Sequence, residues 1–256
     1  MNMNMNMPIA RVTLPVSDQE RAIEFYTQVF GMSSLSGSGD SGEHWREFSG
    51  SQGEIPSSAS SLIDSGGLIE LHVSEQHYSA QGQESACMEI AGASPNRLII
   101  AVVSMQKTTN QIMATGGTVT SLLFDIDPRI PTHAIATDAD GNVMELVEAA
   151  SLLRGEREAT MIGLGLTTAN LSASLDELCR DYGFSPGQDK FSLTLFKPRD
   201  NSAEEYQIAT RDGLYLALYQ YRESARDSVR PGDGARNLYL ALTNPRPGTD
   251  STDKQF

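Results

Sequence analysis

One segment plan occurs three times in this chain. RVTLPVSDQERAIEFYTQVFG runs from Arg11 to Gly31, RLIIAVVSMQKTTNQIMATGG from Arg97 to Gly117, and GLGLTTANLSASLDELCRDYG from Gly163 to Gly183. In each, the closing glycine follows the first residue by 20 positions. Each reads as a strand, a cap, an amphipathic helix and a glycine stop. A repeat at fixed period narrows the choice of fold, because one unit cannot bury its apolar face alone and must pack on its neighbours.

The local chemistry agrees with that plan. In the first segment Ser17 is the expected N-cap, and Glu20, three residues on, completes a capping box. Ala22, Ile23, Tyr26, Val29 and Phe30 follow at helical spacing, and Gly31 offers the left-handed residue that ends a helix. In the third segment Leu171, Leu175, Leu178 and Tyr182 form the stripe before Gly183. The second helix is weaker, with Ile112 and Met113 as its clearest core positions.

Strand-like runs follow each helix. They are His44 to Phe48, Ser58 to Ile63 and Leu68 to Val73; then Thr118 to Phe124, Thr132 to Thr137 and Val143 to Val147; then Phe191 to Phe196, Tyr206 to Thr210 and Leu214 to Tyr219. DADGN, Asp138 to Asn142, is a hairpin turn. Each module is therefore βαβββ. NLYLALTN, from Asn237, opens a fourth module that stops as a stub. The stub strand must pair with the first domain or with a second copy of the chain, because an open sheet edge is a liability. A homodimer thus stands as one alternative.

Composition limits the partners. Of 256 residues 39% are hydrophobic and 20% charged, as in a soluble chain that buries a core. Apolar runs are too short for a membrane-spanning helix. MNMNMNMP lacks the basic region and apolar core of a secretory signal, so residues 1–7 are expected to be a disordered leader. Cys87 and Cys179 lie far apart without metal-like spacing, which suits reduced thiols and a cytoplasmic location. A net charge of −14 argues against nucleic acid and anionic membranes. The charge is lopsided: residues 1–150 hold 6 basic and 18 acidic residues, and residues 151–256 hold 13 and 15. Ser33 to Gly42 and Ser49 to Ser61 are Gly/Ser-rich loops, and Ala149 to Thr160 is the boundary between halves.

VTLPVSDQERAIEFYTQVFGM near the start and DADGNVMELVE at the end of the first half, set in a paired βαβββ repeat, resemble the vicinal oxygen chelate superfamily. That superfamily includes glyoxalase I, bleomycin-resistance proteins, fosfomycin-resistance enzymes and extradiol dioxygenases. The resemblance covers residues 8–150 well and 160–220 by pattern alone. It implies an α+β fold in which tandem βαβββ modules form a cupped, half-barrel mixed sheet with flanking helices. It also implies a first domain over 8–150 and a degenerate second one over 160–256. In metal-dependent members four inward-facing residues hold a divalent ion, and the glyoxalase I pattern is His, Glu, His, Glu. The resemblance places these positions on Arg11, Glu70, Arg97 and Glu145. Both carboxylates are present and both imidazoles are replaced by arginine. In the second half the positions matching Arg11 and Glu70 are Gly163 and Leu216, so no ligand set is carried there.

Arginine offers no lone pair to a metal, and two of them repel a dication. The expectation is therefore a site with no metal and no other cofactor. Strand parity puts Val12, Leu14 and Val16 on one face and Arg11 and Thr13 on the other. It likewise separates Ile69, Leu71 and Val73 from Glu70 and His72. Two glutamates and two arginines sum to zero, as two glutamates and a dication do. A single, partly buried network of all four is expected.

Read functionally, Arg11 or Arg97 would stabilise enolate-like charge and Glu70 or Glu145 would move a proton, as in a metal-independent lyase or isomerase. Arg11, Thr13, His72 and His133 would contact a small organic ligand. Read structurally, the four residues form a salt-bridge network in a vestigial site. A drug- or metabolite-binding protein of the resistance or sequestering kind is the alternative function, and the acidic first half would suit a cationic ligand. A divalent-metal glyoxalase or dioxygenase using Glu70, His72, His133 and Glu145 is the third. Trp45 and Tyr78 suit a pocket wall or a core equally, and His44 and His77 carry no assignment. The tyrosines at 206, 215, 219 and 221 read as strand packing.

Overall fold

The structure is a computed structural model. It describes residues 9–34, 45–47, 60–63, 69–75, 97–123, 131–153, 157–168, 170–188, 193, 195–197, 203–221 and 239–243. The expected leader, His44, His77, Tyr78, Cys87 and most of both Gly/Ser-rich stretches lie outside the described residues.

The strands are β1 (Ala10–Val16), β2 (Ser33–Ser34), β3 (Trp45–Glu47), β4 (Ser60–Ile63), β5 (Ile69–Glu75), β6 (Arg97–Val102) and β7 (Thr118–Leu123). They continue as β8 (His133–Thr137), β9 (Val143–Glu148), β10 (Ala159–Thr167), β11 (Ser185–Pro186), β12 (Ala203–Arg211), β13 (Leu214–Tyr221) and β14 (Tyr239–Thr243). The helices are α1 (Gln19–Phe30), α2 (Met105–Ala114) and α3 (Leu171–Tyr182). Among the described residues no helix is long and apolar enough to cross a membrane.

The fold is mixed α+β. A first sheet runs β2-β4-β5-β1-β14-β3 and a second runs β11-β12-β13-β10-β6-β9-β8-β7. The pairs β1–β5, β6–β9 and β10–β13 are parallel, which joins the first and last strands of each module. Both sheets draw strands from both of the ranges, 8–150 and 160–256, expected as domains. β6 pairs antiparallel with β10, and β1 pairs antiparallel with β14. The stub strand β14 thus finds its partners within the chain, between β1 and β3.

The helices depart from the sequence reading in instructive ways. Asp18, not Ser17, caps α1, its side chain accepting from the Arg21 backbone N–H at 3.1 Å. Ser17 is drawn away because its own N–H and hydroxyl donate to Asp140 Oδ1 at 3.0 and 2.6 Å. Gly31 ends α1 at φ 65° and Gly183 ends α3 at φ 69°, as a left-handed cap requires. α2 stops earlier, at Thr115. Gly117 has a different role: a Cβ there would lie 2.5 Å from the Thr137 carbonyl oxygen and 2.7 Å from Ile112 Cγ2. On α2, Ile112 is buried as expected, but Met113 is 55% exposed, and Met105, Thr108 and Thr109 face inward in its place. The expected strand from Phe191 to Phe196 is also corrected. Leu193 and Leu195 are helical and Phe196 turns, because Leu195 and Phe196 pack down onto the second sheet.

The main core lies between the two sheets and the helices. Val12, Leu14, Leu71 and Val73 of the first sheet and Leu98, Ile100, Met144 and Leu146 of the second belong to one buried cluster with residues of all three helices. The DADGN turn fastens this layer. Tyr26 on α1 donates its hydroxyl to Asp138 Oδ2 at 3.0 Å. Asp138 also accepts from the backbone N–H groups of Asp140 and Asn142 and from the Asn142 amide. Asp140 reaches Ser17 and, at 3.4 Å, Arg21.

A buried acceptor serving several donors is costly to remove. Asp138→Ala is expected to lower stability by about 3 kcal/mol, and Tyr26→Phe, which loses one bond, by about 1 kcal/mol. Denaturant unfolding of each variant checks the order.

Candidate functional site

Alternation along the strands decides where polar side chains can stand. With Val12 and Leu14 in the shared core, Arg11 and Thr13 occupy the face of the first sheet turned away from it. The parallel register sets Arg11 beside Glu70 and Thr13 beside His72. Arg11 donates from Nε and Nη2 to Glu70 Oε2 at 3.3 and 3.2 Å. Glu70 and Thr13 are buried and Arg11 is part-buried. On the other side of β1, Ala241 of β14 stands opposite Arg11.

The second sheet repeats the arrangement more tightly. Leu98, Ile100, Met144 and Leu146 fill the shared core, so Arg97 and Glu145 point the other way. Arg97 Nε donates to Glu145 Oε2 at 2.6 Å. His133 Nδ1 lies 2.9 Å from Glu145 Oε1, and since an ionised carboxylate can only accept, the hydrogen of this bond sits on Nδ1. Burial pushes the Glu145 carboxyl up, but the Arg97 charge and then the His133 hydrogen bond pull it down further, to about 2.

Three further residues shape this face. The Arg97 guanidinium carbon lies 4.4 Å from the centre of the Tyr219 ring. Tyr219 donates its hydroxyl to the Phe196 carbonyl at 3.0 Å. Gly165 on β10 is opposite Arg97, and a Cβ there would meet Arg97 Cγ at 2.9 Å and the Tyr219 ring at 3.2 Å. Around them Ile99, Ala101, Val147, Ile162, Ile208 and Ala217 form a second buried core. Sequence reasoning missed Gly165, Phe196 and this role for Tyr219. The available signal was a glycine inside an otherwise apolar strand, which marks a close approach.

The four residues expected in one network therefore form two pairs. Arg11–Glu70 and Arg97–Glu145 stand on faces separated by the shared core. The alternative metal set is divided in the same way, with Glu70 and His72 on β5 of the first sheet and His133 and Glu145 on the second. Among the described residues no three His, Cys, Asp or Glu side chains gather as for a metal ion. The donors themselves fit a divalent ion poorly. Of the four matching positions, each face holds one carboxylate and one guanidinium, and the guanidinium has no lone pair.

The family model described as Glyoxalase/Bleomycin resistance protein/Dioxygenase superfamily matches residues 8–146. Glyoxalase I from Zea mays is similar in structure, with a TM-score of 0.54 and 17% identity over 84% of this chain and 68% of that one. A point mutant of the same maize enzyme gives 0.53 and 16%, over 84% and 69%. A putative dioxygenase from Bacillus subtilis gives 0.49 and 12%, over 83% and 63%. At these identities the likeness is one of fold. No curated protein sequence matches the chain.

Glu145 ties the second pair to pH. A carboxyl held at about 2 when folded, against 4.5 otherwise, contributes stability above pH 4.5 that is lost as pH falls toward 2. The shift corresponds to roughly 3 kcal/mol. Glu145→Gln is expected to lower stability at pH 7 by roughly 3–5 kcal/mol, because it leaves Arg97 buried without its counter-charge. It should also flatten the acid-induced loss across that window. Denaturant titrations at several pH values give both readouts.

Proposed function

We propose, on the premise that this chain belongs to the Glyoxalase/Bleomycin resistance protein/Dioxygenase superfamily, that it binds a small organic molecule on the outward face of its first sheet without a divalent metal. The observation that carries the reading is the Arg11–Glu70 pair, with Thr13 beside it. Arg11 supplies a fixed positive charge at a position where the family's metal-dependent members place a ligand. Its guanidinium can grip a carboxylate, enolate or phosphate oxygen with two parallel N–H donors. Arg11 is one of only six basic residues in the first 150, so an anionic group has few other partners there.

The two faces are not equivalent in this reading. The second sheet's outward face is a buried apolar core around Arg97, whereas on the first Arg11 keeps 15% of its side chain exposed beside the buried Thr13 and Glu70. The first face is therefore the one offered to a ligand.

Binding without turnover, as in a sequestering or resistance protein, is favoured by the neutralisation of each glutamate by its arginine. A carboxylate beside a guanidinium is a weaker base. If the molecule is an enzyme, its class is lyase or isomerase. Glu70 is then the proton-moving group, because Glu145 is locked as an anion by Arg97 and His133. Arg11 would stabilise the negative charge that develops on substrate oxygen.

The test combines metal content and ligand preference. Protein purified without chelator is expected to carry far less than one equivalent of Zn, Ni, Fe or Mn by elemental mass spectrometry. In thermal-shift screening, small carboxylates and phosphonates should raise Tm more than matched cations. Arg11→Met should abolish the anion response while circular dichroism reports a folded chain. Near-stoichiometric metal, or an anion response that survives Arg11→Met, would overturn the reading.

A further inference from the structure

The second sheet's outward face holds a complete recognition set that the proposed function leaves unused. Its cation is Arg97, fixed from behind by Glu145 at 2.6 Å. Its acceptor is the Phe196 backbone carbonyl. Its walls are apolar side chains including Ile99, Ile162, Phe196 and Ala217. Gly165 clears the floor between the cation and the ring that faces it.

We infer that this face is a binding seat for a small phenol, and that the chain occupies it with its own Tyr219. Each element of the set matches one feature of a hydroxyarene. The guanidinium sits 4.4 Å from the ring centre, on the electron-rich π face, where a desolvated cation is held most strongly. The hydroxyl donates to the Phe196 carbonyl at 3.0 Å, which satisfies a donor that would be costly to bury alone. The apolar wall receives the ring carbons. A saturated alcohol would lose the cation–π contact. A benzoate would set its carboxylate against the Phe196 carbonyl oxygen, which offers no proton.

Tyr219 and Phe196 are both almost wholly buried, so the seat is filled in the folded chain. The outward face of the second sheet is thus answered from within the chain. The inference concerns the second sheet alone and stands independently of what binds near Arg11.

The test is to empty the seat in the full chain. Tyr219→Ala is expected to lower Tm by roughly 5–10 °C through loss of the buried ring. Phenol at about ten times its Kd should then restore roughly 3–5 °C in a saturable manner. The same phenol should leave the wild type unmoved. Cyclohexanol should restore less than half as much, and benzoate nothing. Tyr219→Phe, which keeps the ring, should fold and ignore phenol. Wild-type protein that responds as the variant does would overturn the inference, since the seat would not be self-filled. So would a folded Tyr219→Ala chain that ignores phenol, or one that prefers cyclohexanol. Should Tyr219→Ala fail to fold alone, refolding in the presence of phenol decides the matter. Recovery supports the inference, and no recovery up to the solubility limit, with Tyr219→Phe folded, overturns it.

Discussion

Each central strand of this chain has two faces, and the shared core claims one of them. Val12 and Leu14, Leu71 and Val73, Leu98 and Ile100, Met144 and Leu146 all point to the same buried layer. Everything at odd register from them is turned away. This constraint places Arg11, Glu70, Arg97 and Glu145, and it also keeps the two arginines apart. A side chain cannot cross a packed layer of helices to reach its counterpart on the other sheet. Charge balance is therefore met locally, pair by pair.

The two pairs solve one electrostatic problem with different strictness. Removing a charge from water costs several kcal/mol per ion, and only close, well-formed contacts offset it. Arg97 meets that demand with Glu145 at 2.6 Å and the Tyr219 ring at 4.4 Å, and Glu145 adds a bond from His133. Arg11 makes longer contacts to Glu70, at 3.2 and 3.3 Å, and keeps 15% of its side chain exposed. The tighter pair sits in a second core, and the looser one stands beside Thr13. That contrast is the reason Arg11, and not Arg97, is the arginine proposed to meet a solute.

Much of the fold was legible because it depends on local periodicity. The three strand–helix units, the αL glycines at 31 and 183, the DADGN turn and the burial parity of β1 and β5 all follow from residue spacing. The readings that missed did so where a distant partner prevailed over a local one. Ser17 suits an N-cap, yet Asp140, 123 positions away, takes its N–H and hydroxyl. The alternation from Phe191 to Phe196 looks like a strand, yet the outward face of the second sheet draws Leu195 and Phe196 down as a cover. Of the candidate site, the pairing of each arginine with one glutamate was within reach, since register and face follow from parity. Its division into two was not.

By itself, then, the sequence determined the module plan, the mixed α+β class, which strand faces are apolar, and that Arg11 and Arg97 share no strand face with the alternate apolar positions of the shared core. These are short-range properties, set by helical and strand periods and by side-chain chemistry. The tertiary structure alone decided that the second and third modules share one sheet while β14 returns to β1 in the other. It alone decided that the arginine–glutamate pairs stand back to back across one core, and that Tyr219 lies under Arg97. Those outcomes depend on which strand edges meet, and edge pairing is decided by burial summed over many residues far apart in the chain, which no local pattern records.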